Sequence, residues 1–124
     1  MFINQEKAKT LWRERYGDRN EIRDYVGRLI RFNEYGTNSP YAWDIDHLFP
    51  ESKGGTDRKE NLLICHVLTN DNKADKTAWK EKYNDGKYRY FQIKKKKGSS
   101  MYQIWRINTG DEDVLVYDPT KFNN

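Results

Sequence analysis

Residues 43–76 contain the pattern that most restricts how this chain can fold. An alternating apolar run ends at the pair Asp46-His47, and a polar, glycine-containing loop follows it. Asn61 opens a second short apolar run, and Asn70 stands where a polar helix is predicted to begin. Because alternate residues of a strand point to opposite faces, the predicted order is strand, loop, strand and helix. A carboxylate, an imidazole and two amides at these separations can be folded around one metal ion and one phosphate.

The rest of the chain predicts elements that support this segment. A helix is expected over residues 4–16, with Asn4 as its cap and Gly17 as its stop. A shorter helical turn is predicted at 20–24, and a longer helix is predicted from Thr69 or Asn70 toward Tyr83. Strands are predicted over residues 27–32, 41–49, 61–67, 87–95, 101–108 and 114–117.

Length and composition limit the kind of protein this is. A chain of 124 residues fits one domain, and a 15% aromatic content argues against disorder. The single cysteine, Cys65, excludes an intramolecular disulfide and a four-cysteine zinc site. Since no signal peptide or membrane-spanning run is present in the sequence, a soluble, cytoplasmic protein is expected.

A basic segment lies toward the C-terminus. Residues 86–107 carry seven lysines and arginines and no acidic residue, with four consecutive lysines at 94–97. Such a local excess of positive charge favours a polyanionic partner such as nucleic acid. The alternative is an edge strand that its lysines protect from pairing. Trp105 lies in this segment and can either stack on unpaired bases or belong to the core.

The chemistry that best suits the central residues is phosphodiester hydrolysis. This reaction needs a divalent cation at the phosphate and a base that activates water. Asp46 and Asn70 offer hard oxygen donors, which suit Mg²⁺ or Mn²⁺. His47 is the strongest candidate for the base, because imidazole titrates near neutral pH.

Together these residues resemble the HNH (His-Asn-His) endonuclease family. The residues that carry the resemblance are Asp46-His47, Gly54-Gly55, Asp57, Asn61-Leu62, Asn70 and Lys73. The resemblance implies an α+β fold with a ββα-metal (His-Me finger) core over about 41–80. The N-terminal helix and a basic, antiparallel β meander over about 86–118 would complete a single domain spanning 1–124.

The resemblance also implies an activity, that of a metal-dependent DNA endonuclease that nicks or cleaves phosphodiester bonds. His47 would be the general base, and Asn61 would orient it and pin the loop to the strand. Asp46 and Asn70 would ligate one Mg²⁺ (or Mn²⁺) ion. Phosphate contacts are expected at lysines of the helix and of the basic segment, namely Lys73, Lys76, Lys94, Lys95, Lys96 and Lys97. His66 is a further candidate ligand, with a hydrogen-bonded strand-end histidine as the alternative.

Two departures from the family pattern refine this prediction. Asn70 stands where the family has its last histidine, which indicates a His-Asn-Asn variant, and no structural zinc is expected. Two alternatives remain open at this point. One is a non-catalytic nucleic-acid-binding or inhibitory protein that reuses the fold, and the other is an RNA-cleaving, toxin-like nuclease. Target specificity, nicking against double-strand cutting, a monomeric or dimeric state and a setting in a phage, mobile element or restriction system also stay open.

Overall fold

The computed structural model describes residues 3–122. They form a mixed fold of helix and antiparallel strand. The N-terminal part contains α1 (Gln5–Tyr16), β1 (Glu21–Arg23) and β2 (Leu29–Arg31). The central part contains β3 (Trp43–His47), β4 (Leu62–His66) and α2 (Val67–Lys73). The C-terminal part contains β5 (Ala78–Lys82), β6 (Tyr88–Lys95), β7 (Tyr102–Ile107) and β8 (Val114–Tyr117).

Helix α1 forms where its caps and apolar spacing predict it. The Asn4 side chain accepts a hydrogen bond from the Lys7 backbone N–H at 2.8 Å, and Gly17 ends the helix with a φ of 61°. Ala8, Leu11 and Trp12 are buried on one face. The predicted helix over 4–16 is therefore confirmed.

The β3–β4 hairpin lies between two hydrophobic cores. Trp43 and Ile45 of β3 pack with α1 and the β1–β2 hairpin on one side. Leu48, just after β3, and Leu63 of β4 pack with the C-terminal strands on the other side. A hairpin covered on both faces is held more rigidly than one packed on a single layer, because neither face is free to move into solvent. The end of β3 is thus a firmly supported position.

The C-terminal strands form one antiparallel sheet in the order β5-β6-β7-β8. Three of them, β6, β7 and β8, coincide with the predicted strands at 87–95, 101–108 and 114–117, so the predicted meander is confirmed. Trp79, Phe91, Ile93 and Ile104 are buried on its inner face. This sheet supplies the packing that covers the hairpin from the C-terminal side.

Two helix predictions are wrong. The region 20–24 contains β1, which pairs with β2, and the helix expected to run to Tyr83 ends at Lys73. Ala74 has a φ of 48°, which breaks the helix, and Trp79 then lies in β5. Trp79 and Tyr83 are four residues apart, a spacing that fits one face of a helix. The same spacing fits one face of a strand, on which the buried Glu81 lies between them. Pairing with β6 decides between the two.

No helix in the part of the chain that is described, residues 3–122, is long and apolar enough to cross a membrane.

Candidate active site

The end of β3 brings Asp46 and His47 into a largely buried position. Asp46 pairs across the hairpin with Leu63, and His47 pairs with Leu62. The Asp46 Oδ1 atom accepts a hydrogen bond from the His47 backbone N–H at 2.8 Å. This bond restricts the Asp46 rotamer and leaves the second carboxylate oxygen, Oδ2, for other contacts.

Lys73 supplies the charge that faces this second oxygen. Its Nζ lies 3.2 Å from Asp46 Oδ2 and donates to the His47 carbonyl at 2.9 Å. The ion pair lacks hydrogen-bond alignment, since Asp46 Oδ2 is a buried oxygen without a hydrogen-bond partner. Burial raises the pKa of the Asp46 carboxyl, and the Lys73 ammonium offsets only part of that rise. Asp46 Oδ2 is thus a buried carboxylate oxygen whose charge is balanced in part by the Lys73 ammonium.

The position of Lys73 differs from the predicted one. Its side chain is 0% exposed and lies against the Trp79 ring, with Nζ 5.9 Å from the ring centroid. A side chain without exposed surface cannot reach a phosphate in this structure. Lys73 instead joins the end of α2 to the end of β3.

Asn70 contacts a different acid from the predicted partner. Its Nδ2 donates to Asp44 Oδ2 at 3.1 Å, whereas Asp46 was expected to share a metal ion with it. Asp44 and Asp46 are two residues apart in β3 and therefore lie on one face of the strand. Asp44 and Asn70 are thus in contact where α2 meets the hairpin, and Asp46 shares the strand face of Asp44.

His47 faces two acidic side chains from the loop after β3. Its Nε2 lies 2.7 Å from Asp57 Oδ1 and 3.5 Å from Glu51 Oε2. The ligand atoms of all three residues lie within 4.8 Å of one another, close enough to hold a metal ion. Both carboxylates are largely exposed, with side-chain exposures of 76% for Asp57 and 74% for Glu51. Asp57 is among the residues that carry the family resemblance, but the sequence indicated a role for neither acid, because contacts across a loop leave no periodic signal.

Asn61 bridges the loop and the strand end. Its Oδ1 accepts from the Phe49 N–H at 2.9 Å, and its Nδ2 donates to the carbonyls of Phe49 at 3.1 Å and Thr56 at 2.8 Å. The Asn61 carbonyl accepts from the Leu48 N–H at 2.8 Å. The predicted bridge between loop and strand is therefore present. Its effect on the orientation of His47 stays a prediction.

The comparison with known families decides what kind of domain carries this arrangement. Residues 25–79 match the model of the HNH endonuclease family. We call this matched segment, residues 25–79, the HNH domain. The matched region begins in the turn between β1 and β2 and ends in β5, so it includes the hairpin, the loop and α2. Comparisons with curated proteins and with solved structures gave no match.

Both ring nitrogens of His66 are hydrogen-bonded to the backbone. Its Nδ1 accepts from the Leu68 backbone N–H at 3.0 Å, which caps α2. Its Nε2 lies 2.7 Å from the Pro40 carbonyl, to which it donates when Nδ1 is the acceptor. Both ring nitrogens are occupied, which agrees with the structural alternative for this residue and leaves no nitrogen for a metal.

The other lysines predicted to contact phosphate divide into paired and unpaired ones. Lys94 Nζ lies 2.6 Å from Asp113 Oδ2, and Lys96 Nζ lies 3.1 Å from Asp118 Oδ2. Lys95 and Lys97 are exposed and have no carboxylate partner among residues 3–122. Lys76, the remaining predicted phosphate contact, is exposed just after α2. Of the four consecutive lysines, two are therefore free to meet a polyanion without first breaking an ion pair.

Gly55 is required by the close packing of the loop that follows β3. A Cβ atom at this position would lie 1.8 Å from the Phe49 carbonyl oxygen. We expect Gly55→Ala to lower the free energy of unfolding by about 3 kcal/mol, the upper end of the cost of overpacking, and to reduce activity through the displaced loop. Urea unfolding followed by circular dichroism measures the change.

Gly98→Asn is the matched control for this substitution. Gly98 has a φ of 73°, and a Cβ atom added there would meet no heavy atom within 4 Å. Asparagine tolerates that backbone conformation, so its cost should be well below that of Gly55→Ala. Equal costs would show that the close approach to the Phe49 carbonyl does not make glycine necessary at 55.

Proposed function

We propose that this protein is a metal-dependent DNA endonuclease of the His-Asn-Asn type, with a ββα-metal core formed by β3, β4 and α2. The observation that carries the proposal is the placement of Asp46 and His47 together at the rigid end of β3 within an HNH domain. The Asp46 carboxylate, one oxygen of which is buried beside the Lys73 ammonium, would supply the oxygen donor for a cation at this position.

The residues present fit a hard divalent ion. Asp46 and Asn70 would hold it, and Asp44 lies close enough to orient the Asn70 amide. Carboxylate and amide oxygens favour Mg²⁺ or Mn²⁺ over softer metals. When bound, the ion would neutralise charge on the scissile phosphate and stabilise the leaving oxygen.

A second group that could hold a metal ion, His47 with Glu51 and Asp57, suits the catalytic ion less well than Asp46 and Asn70 do. An ion bound at Nε2 would take up the imidazole that has to accept a proton. The two carboxylates are also mostly exposed to water, where exposed acids are common without a metal. We therefore assign Asp57 the role of a carboxylate that fixes one ring nitrogen of His47, as carboxylates do in other acid–base pairs.

His47 then acts as the general base. It would take a proton from the attacking water, while Asn61 holds the loop so that the imidazole keeps its place beside the strand end. Its burial, at 6% exposure, limits rotation of the ring. Asp57 and Asn61 therefore hold the base in place, and hydrolysis breaks the P–O bond to the leaving oxygen.

A plasmid assay tests this function. Purified protein is incubated with supercoiled DNA in Mg²⁺, in Mn²⁺ and in excess chelator, with a structured RNA as a parallel substrate. We expect nicked or linear DNA with either ion and none with chelator. Cleavage in chelator, or no cleavage of DNA with any divalent metal, would overturn the proposal. Faster cleavage of RNA than of DNA would support the same active site and identify RNA as the preferred substrate.

A further inference from the structure

The outer face of the C-terminal sheet carries aromatic rings and lysines in neighbouring positions. Directly opposed residues of paired strands share a face, and Lys80 opposes Tyr90 while Lys82 opposes Tyr88. On the next strand Trp105 opposes Gln92. Buried residues such as Trp79 and Phe91 alternate with these and point inward, toward the hairpin. We call the surface formed by Lys80, Lys82, Tyr88, Tyr90, Lys94 and Trp105 the outer face.

The rings of this face are not used by the core. Tyr88 is 44% exposed and Tyr90 39%. Trp105 is partly exposed, whereas Trp12, Trp43 and Trp79 are buried. Burying a large aromatic ring contributes strongly to stability, so three such rings left on one surface indicate that the surface has another use.

The charge of this face is positive. Strands β5, β6 and β7 contain one acidic residue, Glu81, and it points inward and is buried. Lys80 and Lys82 are exposed and have no carboxylate partner within residues 3–122. Lys94 is paired with Asp113 at the edge. Two copies of this chain would repel each other across such a surface, which disfavours a dimer and favours an anionic partner.

The cations lie close to the rings. Lys80 Nζ is 4.4 Å from the centroid of the Tyr88 ring, and Lys94 Nζ is 5.6 Å from that of Trp105. Tyr88 and Tyr90 are two residues apart on one strand, which separates them by roughly 7 Å along it. A base stacked on Tyr88 would replace the Lys80 ammonium over that ring. A positive surface with stacking rings is the arrangement that binds single-stranded nucleic acid without sequence preference.

We propose that the outer face binds an unpaired stretch of nucleic acid, with bases stacked on Tyr88, Tyr90 and Trp105 and phosphates near Lys80 and Lys82. This inference rests on the proposed function for the nature of the polymer, but it concerns a surface outside the HNH site. In a duplex, the faces of each base are covered by the stacked neighbouring base pairs. The rings of the outer face therefore select unpaired segments. The surface would hold a substrate with a single-stranded region, such as a flap or an opened junction.

Fluorescence anisotropy with labelled homopolymers tests the proposal. The probes are short oligothymidylate, oligouridylate and a duplex of the same length, and the protein is the full chain carrying His47→Ala in excess chelator, so that no cleavage interferes. The double variant Tyr88→Ser/Tyr90→Ser should raise the Kd for the single strands by roughly 30-fold or more, since each lost ring costs about 5-fold or more. The two homopolymers distinguish DNA from RNA as the source of the unpaired bases.

Two control variants separate stacking from general effects. Tyr41→Ser removes a half-buried tyrosine outside the outer face, and Lys7→Gln/Lys9→Gln removes two positive charges from α1. Neither should change the Kd for single strands more than about twofold, whereas Lys80→Gln/Lys82→Gln should weaken binding and reduce its salt dependence. Quenching of tryptophan fluorescence by the bound strand, lost in Trp105→Phe, would locate stacking at Trp105.

The result that overturns the proposal is equal single-strand affinity for the tyrosine double variant and its parent. Self-association at micromolar concentration that the same variant abolishes would also overturn it, by showing a protein interface. Because binding is measured without cleavage, a protein that binds single strands through this face and never cuts DNA would contradict the proposed function and leave this inference standing.

Discussion

His47→Ala is expected to lower the rate of plasmid cleavage by roughly 10²–10⁴-fold, the usual contribution of a general base. The substitution removes the imidazole and leaves the oxygen donors Asp46 and Asn70 in place, so DNA binding should persist. The initial rate of conversion of supercoiled to nicked DNA in Mg²⁺ measures the effect, and anisotropy with labelled duplex measures binding.

The second histidine gives a matched control. His66→Gln removes an imidazole of the same chemistry whose two nitrogens only cap α2 and bind the Pro40 carbonyl. It should lower stability and leave the cleavage rate of the folded protein within a few-fold of the original. Cleavage by His47→Ala at the original rate would show that another group activates the water, and an equal loss in both variants would point to structural damage.

Lys73→Met should lower the free energy of unfolding by about 3–5 kcal/mol, the cost of breaking a buried ion pair on one side only. Methionine keeps most of the volume but leaves the Asp46 carboxylate, whose side chain is 13% exposed, without its ammonium. It also removes the donor to the His47 carbonyl. Urea unfolding in chelator measures the loss.

Two comparisons make this prediction specific. Adding Asp46→Asn to Lys73→Met removes the uncompensated charge, so the double variant should be more stable than Lys73→Met alone. Lys76→Met, an exposed lysine three residues away, should change stability by no more than about 0.5 kcal/mol. If Lys73→Met costs as little as Lys76→Met, the buried contact with Asp46 does not support the fold.

Magnesium should restore part of the stability lost in Lys73→Met. An ion held by Asp46 replaces the missing positive charge, and a ligand that binds only the folded state stabilises it by mass action. The restored fraction should be absent in the variant that also carries Asp46→Asn. A gain of equal size in both variants would place the ion elsewhere, with His47, Glu51 and Asp57 as the next site to test.

The amino-acid sequence alone predicted the features that depend on neighbouring residues. Helix α1 follows from the Asn4 cap, the apolar spacing and Gly17, all of which act within a few residues. The strands of the hairpin and of the meander follow from alternation, and the spacing from His47 to Asn61 and on to Asn70 carried the resemblance to the HNH family. These signals are local, because helix and strand impose fixed periods on the side chains.

The way the side chains of the site meet depends on contacts between distant segments of the folded chain. The burial of Lys73 against Asp46, the contact of Asn70 with Asp44 and the approach of Asp57 to His47 join residues that are 10 to 27 positions apart. The segment at Trp79 forms a strand although its apolar spacing is also compatible with a helix. The reason is that β6 offers backbone hydrogen-bond partners that an isolated segment lacks. Packing and pairing between distant segments carry more free energy than local preference, and a sequence read along its length does not contain their geometry.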